Sequence, residues 1–148
     1  MTDDRPITKQ ALKNRLRPLL RPYWTSNKAK YAGFADGRFG LPSSGQIANL
    51  VDSYAPPNPL GELFDCDDFA YDFKAHVGRQ VRLGQTPFSE PPAVGIAWGR
   101  FFWISSGQLD HACNWILNFN GQFSWFEPQN RTLHPVTECA GRLTLLLS

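Results

Sequence analysis

The feature that most constrains the fold is a change of hydrophobic period near residues 83–92. Ahead of it the apolar residues recur at helical spacing, and behind it they fall into short aromatic or β-branched runs. Ile47, Leu50, Val51 and Tyr54 stand at i, i+3, i+4 and i+7, with Ser44 as the expected N-cap. Phe69, Phe73 and Val77 form a second stripe, with Ala70 beside it and Asp65 as its cap. A shorter helix is expected over 7–17, ended by Pro18 and Pro22. Residues 24–41 read as irregular packing. After the linker Leu83–Pro92, the runs Ala93–Trp98, Phe101–Ile104, His111–Phe119 and Phe123–Phe126 are separated by Gly, Ser and Asn turns, and Leu143–Leu147 can add a last strand. Helices followed by strands imply an α+β fold, with N-terminal helices packed on one face of an antiparallel sheet.

A chain of 148 residues with 20 aromatic rings can bury a core in one domain, so 1–148 is taken as a single unit. Ala55-Pro56-Pro57-Asn58-Pro59 is a loop within it, because neither flank could fold alone. No apolar run approaches the roughly 18 residues of a spanning helix, and the start MTDDRPITKQ lacks a signal core. A cytoplasmic location, no membrane partner and reduced cysteines are therefore expected. The net charge of +2 hides an asymmetry: residues 1–38 carry nine Lys/Arg against three Asp. A solvated helix face explains this better than nucleic acid, since no zinc-finger spacing, phosphate loop or basic–aromatic interleaving accompanies it.

Three segments carry the candidate chemistry: Phe64-Asp65-Cys66-Asp67-Asp68-Phe69-Ala70, His111-Ala112-Cys113-Asn114 and Trp125-Phe126-Glu127-Pro128-Gln129. A thiol at a helix N-terminus beside an imidazole is the arrangement that activates a nucleophile, and Glu127 is placed to orient His111. A tight Asn120-Gly121 turn would put Glu127 opposite Asn114. A longer loop centred near Phe119 puts it opposite His111, and the shared parity of Cys113, Trp115, Leu117, Phe123 and Trp125 favours that register. Asp67 and Asp68 oppose a thiolate, which leaves either solvated acids or a bound hard cation. His76 and His134 read as surface or local hydrogen-bonding groups, and Cys113 and Cys139 as bystanders.

Together, Cys66-Asp67-Asp68-Phe69-Ala70, His111-Ala112-x-Asn114 and Phe126-Glu127-Pro128-Gln129 resemble the papain-like cysteine protease domain of the Marasmius oreades agglutinin type of fungal lectin. The resemblance covers roughly residues 44–135, leaving 1–43 as an N-terminal extension. It implies a papain-like fold, a Cys66–His111–Glu127 triad, a peptide or protein substrate, and calcium or manganese near the centre, with Asp67, Asp68 and Gln129 as ligands. The sugar-binding trefoil that precedes the domain in that family has no counterpart in residues 1–43, so lectin activity is not implied.

The expectation is thus a thiol hydrolase, most simply a cysteine peptidase working through an acyl-thioester. An amidase or transglutaminase-like acyltransferase would use the same three residues. The alternative of another class is a non-catalytic binding module, whose aromatic strands present a ligand surface while the basic N-terminal helix docks a partner.

Overall fold

A computed structural model describes residues 3–24, 31–32, 34, 36–60, 65–101, 111–136 and 141–148. The elements are β1 (Arg5–Thr8), α1 (Lys9–Leu20), a 3-10 turn (Arg21–Tyr23), β2 (Tyr31–Ala32), β3 (Arg38–Leu41), α2 (Ser44–Asp52), α3 (Cys66–Arg82), β4 (Val94–Phe101), β5 (His111–Leu117), β6 (Phe123–Glu127), β7 (Thr132–Pro135) and β8 (Gly141–Leu147). The mixture is α+β, as the change of period implies.

Local chemistry accounts for the helix ends. Thr8 caps α1 by accepting from the Ala11 amide at 3.1 Å. Pro18 does not end this helix, which runs on to Leu20: it lies in the last turn, where its missing N–H deprives only Asn14 of a partner, and Leu16 and Leu20 are both buried. The cap of α2 is Ser43 rather than Ser44. Its hydroxyl accepts from the Gln46 amide at 3.2 Å, and the Gln46 side chain accepts from the Ser43 amide at 2.8 Å. Asp65 caps α3, with its own amide donating to Asp68 Oδ2 at 3.1 Å.

Six strands form the main sheet in the order β2-β8-β4-β5-β6-β7, while β1 and β3 form a separate antiparallel pair. The meander from β4 to β7 is antiparallel, as expected; β8 then returns to the other side of β4, and β2 joins β8 in parallel. β1, β2, β3 and β7 were not visible in the sequence. All are short; β1 and β7 are polar and half or more exposed, and Pro135 ends the edge strand β7. The run expected from Phe101 joins β4 at its first residue, and residues 102–104 lie outside the described residues.

Helices cover both faces of the sheet, not one. On one face Leu12, Leu16 and Leu20 of α1 pack with Cys113, Trp115, Leu117, Phe123 and Trp125. On the other, Leu50, Phe73 and Val77 pack with Val94, Ile116 and Phe126. The reason lies in β5, where every residue after His111 is buried; a strand apolar at both parities needs cover above and below.

The β5–β6 register matches neither of the two weighed. Asn114 pairs with Phe126 and Trp115 with Trp125, and residues 118–122 join the strands, with Gly121 at φ +79°. The Asn118 side chain braces that loop by accepting from the Asn120 and Gln122 amides. Parity is kept, so His111 and Glu127 share a face as expected. Glu127 falls level with Cys113, two residues along β5 from His111.

Candidate functional site

Cys66 is the first residue of α3, where the helix leaves its leading amides unpaired. It packs against Ala70, Ile96 and Ala112 together with Trp98 and Leu147, so the helix start sits against the sheet beside the start of β5. His111 opens β5 and Glu127 closes β6. Diagonal neighbours on one face of an antiparallel pair are within reach of long side chains, and the His111 Nε2 to Glu127 Oε2 distance is 2.6 Å. The side chains are only 14% and 7% exposed, which shields their ion pair from solvent.

Burial pushes the His111 ring towards its neutral form. Hydrogen bonds to Cys66 and Glu127, and the Glu127 charge, outweigh this and raise its pKa to about 9. With Nε2 on the carboxylate, Nδ1 is the nitrogen left for the thiol. The structure therefore brings together all three expected residues: Cys66, His111 and Glu127.

The candidate cation ligands divide. Asp65, Cys66 and Asp67 place ligand atoms within 4.8 Å of one another. A hydrogen bond with Asp65, burial and the neighbouring carboxylates raise the Asp67 pKa, so negative charge is crowded there. Asp65 Oδ1 is buried with no hydrogen-bond partner. Crowded carboxylates with an orphaned oxygen fit a hard cation such as calcium or manganese. Asp68 is engaged at the helix cap, and Gln129 lies exposed in the turn after β6 with its amide 3.4 Å from Glu127 Oε1. Asp65, read from the sequence only as a cap, is the oxygen donor that reasoning missed.

The remaining polar groups have structural work. Gln46 spans the α2 cap and the Pro87 carbonyl (2.6 Å), while Asn114 donates to the Ala70 and Gly95 carbonyls at 2.9 and 3.1 Å. His76 is buried, not on the surface; its Nε2 lies 3.2 Å from the Leu50 carbonyl and 3.0 Å from Ser53 Oγ. Cys113 is a buried packing residue, as expected, and Cys139 lies outside the described residues. Of the strand aromatics, Trp115, Trp125 and Phe126 are fully buried and cannot meet a ligand, whereas Trp98 on β4 is only partly buried. Exposed aromatic surface comes instead from Tyr71 on α3, 50% exposed, whose ring meets Trp98 edge-on at 5.8 Å. Tyr71 is one turn beyond Asp67, and Trp98 pairs with Ala112 next to His111.

Fold and site together define a two-faced α+β sheet protein with a buried His–Glu pair at the head of a helix. Residues 48–133, more than half of the chain, match the family described as Agglutinin C-terminal, and the chain belongs to that family. Two solved structures are similar to it. One is described as a PSL1a–E64 complex: it is 24% identical, with a TM-score of 0.72 over 97% of this chain and 51% of that one. The other is a Polyporus squamosus lectin bound to the epitope Neu5Aca2-6Galb1-4GlcNAc: it is also 24% identical, with a TM-score of 0.69 over 97% and 49%. The chain thus spans about half the length of these neighbours. No curated protein matches it.

These findings correct the expectation of an enzyme. The matching family is described as an agglutinin domain and one similar structure as a lectin, in place of the hydrolase or papain-like cysteine protease expected.

Proposed function

We propose that this chain is a non-catalytic binding module that takes a glycan on the Tyr71–Trp98 shelf beside the His111–Glu127 pair. The observation that carries the reading is the shelf itself: two amphipathic rings in edge contact, one of them half exposed, bordering a cluster of charged acceptors and donors. A sugar ring offers a face of C–H bonds that packs on an aromatic side chain, and a rim of hydroxyls that charged groups hydrogen-bond strongly. Tyr and Trp supply such contact area at low cost in conformational entropy. The agglutinin relationship supports a glycan as the ligand class in place of the peptide substrate expected from the sequence. Where calcium or manganese binds, Asp65 and Asp67 would hold it, and its charge would add an electrophilic contact for hydroxyl oxygens.

The test is a glycan array probed with the full chain, with and without added calcium, followed by titration of the best glycan against tryptophan fluorescence. Tyr71→Ala should weaken binding at least tenfold, and Cys66→Ser should leave it within twofold. Failure to retain any glycan, or wild-type affinity in Tyr71→Ala, refutes the proposal.

A further inference from the structure

A second site lies beyond the shelf, along the C-terminal half of α3. A cleft of about 470 Å³ opens between this helix and the segment that leads into β4. Its apolar wall is made by Val77, Val81, Phe88, Pro91 and Pro92, and Lys74 lines it from the helix. That volume is within the usual range for small-molecule sites.

Two independent features make the cleft more than a surface groove. The first is Lys74, whose half-buried ammonium has three donors. Among the described residues its one hydrogen-bond acceptor is the Val94 carbonyl, at 2.5 Å. Burial lowers its pKa to about 8 against the opposing charge of Asp36. A charge held this way favours an anionic partner that reaches the remaining donors. Arg82 adds a second cation to the lining, while Glu90, the one acid there, is engaged by Arg38 at 2.8 Å.

The second feature is Gly78, in the interior of the seventeen-residue α3, where glycine is about 1 kcal/mol less favourable than alanine. Packing does not require it: a Cβ built there meets no atom within 4 Å outside the helix's own backbone. What the missing side chain does leave is an open floor to the cleft.

We infer that this cleft is a binding site for a small amphipathic carboxylate, with the carboxylate on Lys74 and Arg82 and the apolar tail along Val77, Val81 and Phe88. It lies further along the same helix than the proposed glycan shelf, with Gly78 seven residues, roughly 10 Å of helix, beyond Tyr71.

The experiment is calorimetric titration of the full chain with octanoate, octanol and octyltrimethylammonium. Octanoate should bind with a dissociation constant below 1 mM, at least tenfold tighter than either of the others. Lys74→Met should erase that preference, and Lys74→Arg should restore it. Gly78→Leu, whose Cβ has open space, should weaken octanoate at least tenfold while circular dichroism stays native. Equal affinity for octanoate and octanol, no binding below 1 mM, or undiminished binding in a folded Gly78→Leu variant would overturn the inference.

Discussion

His111, held by Cys66 and Glu127, should make stability fall as pH rises, and neutralising the acid should reduce that slope. Folding raises the His111 pKa from an ordinary 6.5 to about 9, so between those values the native state binds the extra proton. Stability from the pair is fully present below pH 6.5 and is lost as pH climbs through 9. Taken in full, the shift corresponds to about 3 kcal/mol, at 1.36 kcal/mol for each pH unit. The side chains are 14% and 7% exposed, so solvent screening reduces this little. Lys74 acts in the opposite sense above pH 8: its pKa is lowered from 10.5 to about 8, so the unfolded state binds the extra proton there. His76 and His134, whose pKa values burial lowers, also oppose it near pH 6.5, so the window is pH 7–8, over which unfolding free energy should drop by about 1 kcal/mol. Urea denaturation at half-unit pH steps measures this, alongside the His111 titration followed by NMR. Glu127→Gln should reduce the slope and lower the His111 midpoint, with the bond to Cys66 keeping part of the rise. A flat wild-type profile, or an equal slope in Glu127→Gln, refutes the electrostatic account of the pair.

Two further substitutions test the packing that supports the site. A Cβ on Gly95 would lie 1.9 Å from the Leu147 carbonyl and 2.4 Å from Trp115 Nε1, the two atoms that form a 2.6 Å hydrogen bond. Gly95→Ala should therefore cost about 3 kcal/mol by urea denaturation, and a loss below 1 kcal/mol would mean that β4 and β8 separate easily. Phe73 is fully buried, with its ring 4.3 Å from that of Phe126 and 5.1 Å from that of Tyr54. Phe73→Ala should cost about 3–5 kcal/mol, and melting temperature measured by calorimetry checks it; a drop equivalent to less than 1.5 kcal/mol would show that α3 is not held by this contact.

The long elements were legible because their apolar residues repeat. Phe69, Phe73 and Val77 mark α3, and the aromatic runs mark β4, β5 and β6, since burial leaves a periodic trace wherever one stripe meets the core. Cys66, His111 and Glu127 were legible too, because the parity of β5 and β6 put two of them on one face and Asp65 put the third at a helix start. What escaped was whatever depends on partners distant in sequence. β1 is recognisable only through its pairing with β3, more than thirty residues away, and nothing in Arg5–Thr8 is periodic. The Asn120-Gly121 pair signalled a two-residue turn, but Asn118 provides two extra side-chain bonds that favour the longer loop. The role of the site was misjudged for a related reason. The order of three residue types constrains which side chains meet, whereas what an assembled site does depends on the surface around it, such as the Tyr71–Trp98 contact between α3 and β4.

β5 explains why a polar pair can persist in such a setting. Its residues Ala112 to Leu117 are buried on both faces, so the strand is held from α1 on one side and α3 on the other. Asn114 adds a direct tie, its amide donating to Ala70 on α3 and to Gly95 on β4 at once. His111 is the one residue of β5 that is not fully enclosed, and it stands where this doubly anchored strand emerges. A partly exposed histidine at the end of a rigid strand keeps its orientation without being sealed from a ligand. The shelf rests on the same frame, since Trp98 pairs with Ala112 and Tyr71 follows Ala70 on α3. A change that loosened Asn114 would therefore move the His–Glu pair and the aromatic shelf together. Asn114→Ala, by leaving the Ala70 and Gly95 carbonyls without their shared donor, should lower both the His111 pKa and the glycan affinity. Loss of one with the other intact would show that the strand does not couple them.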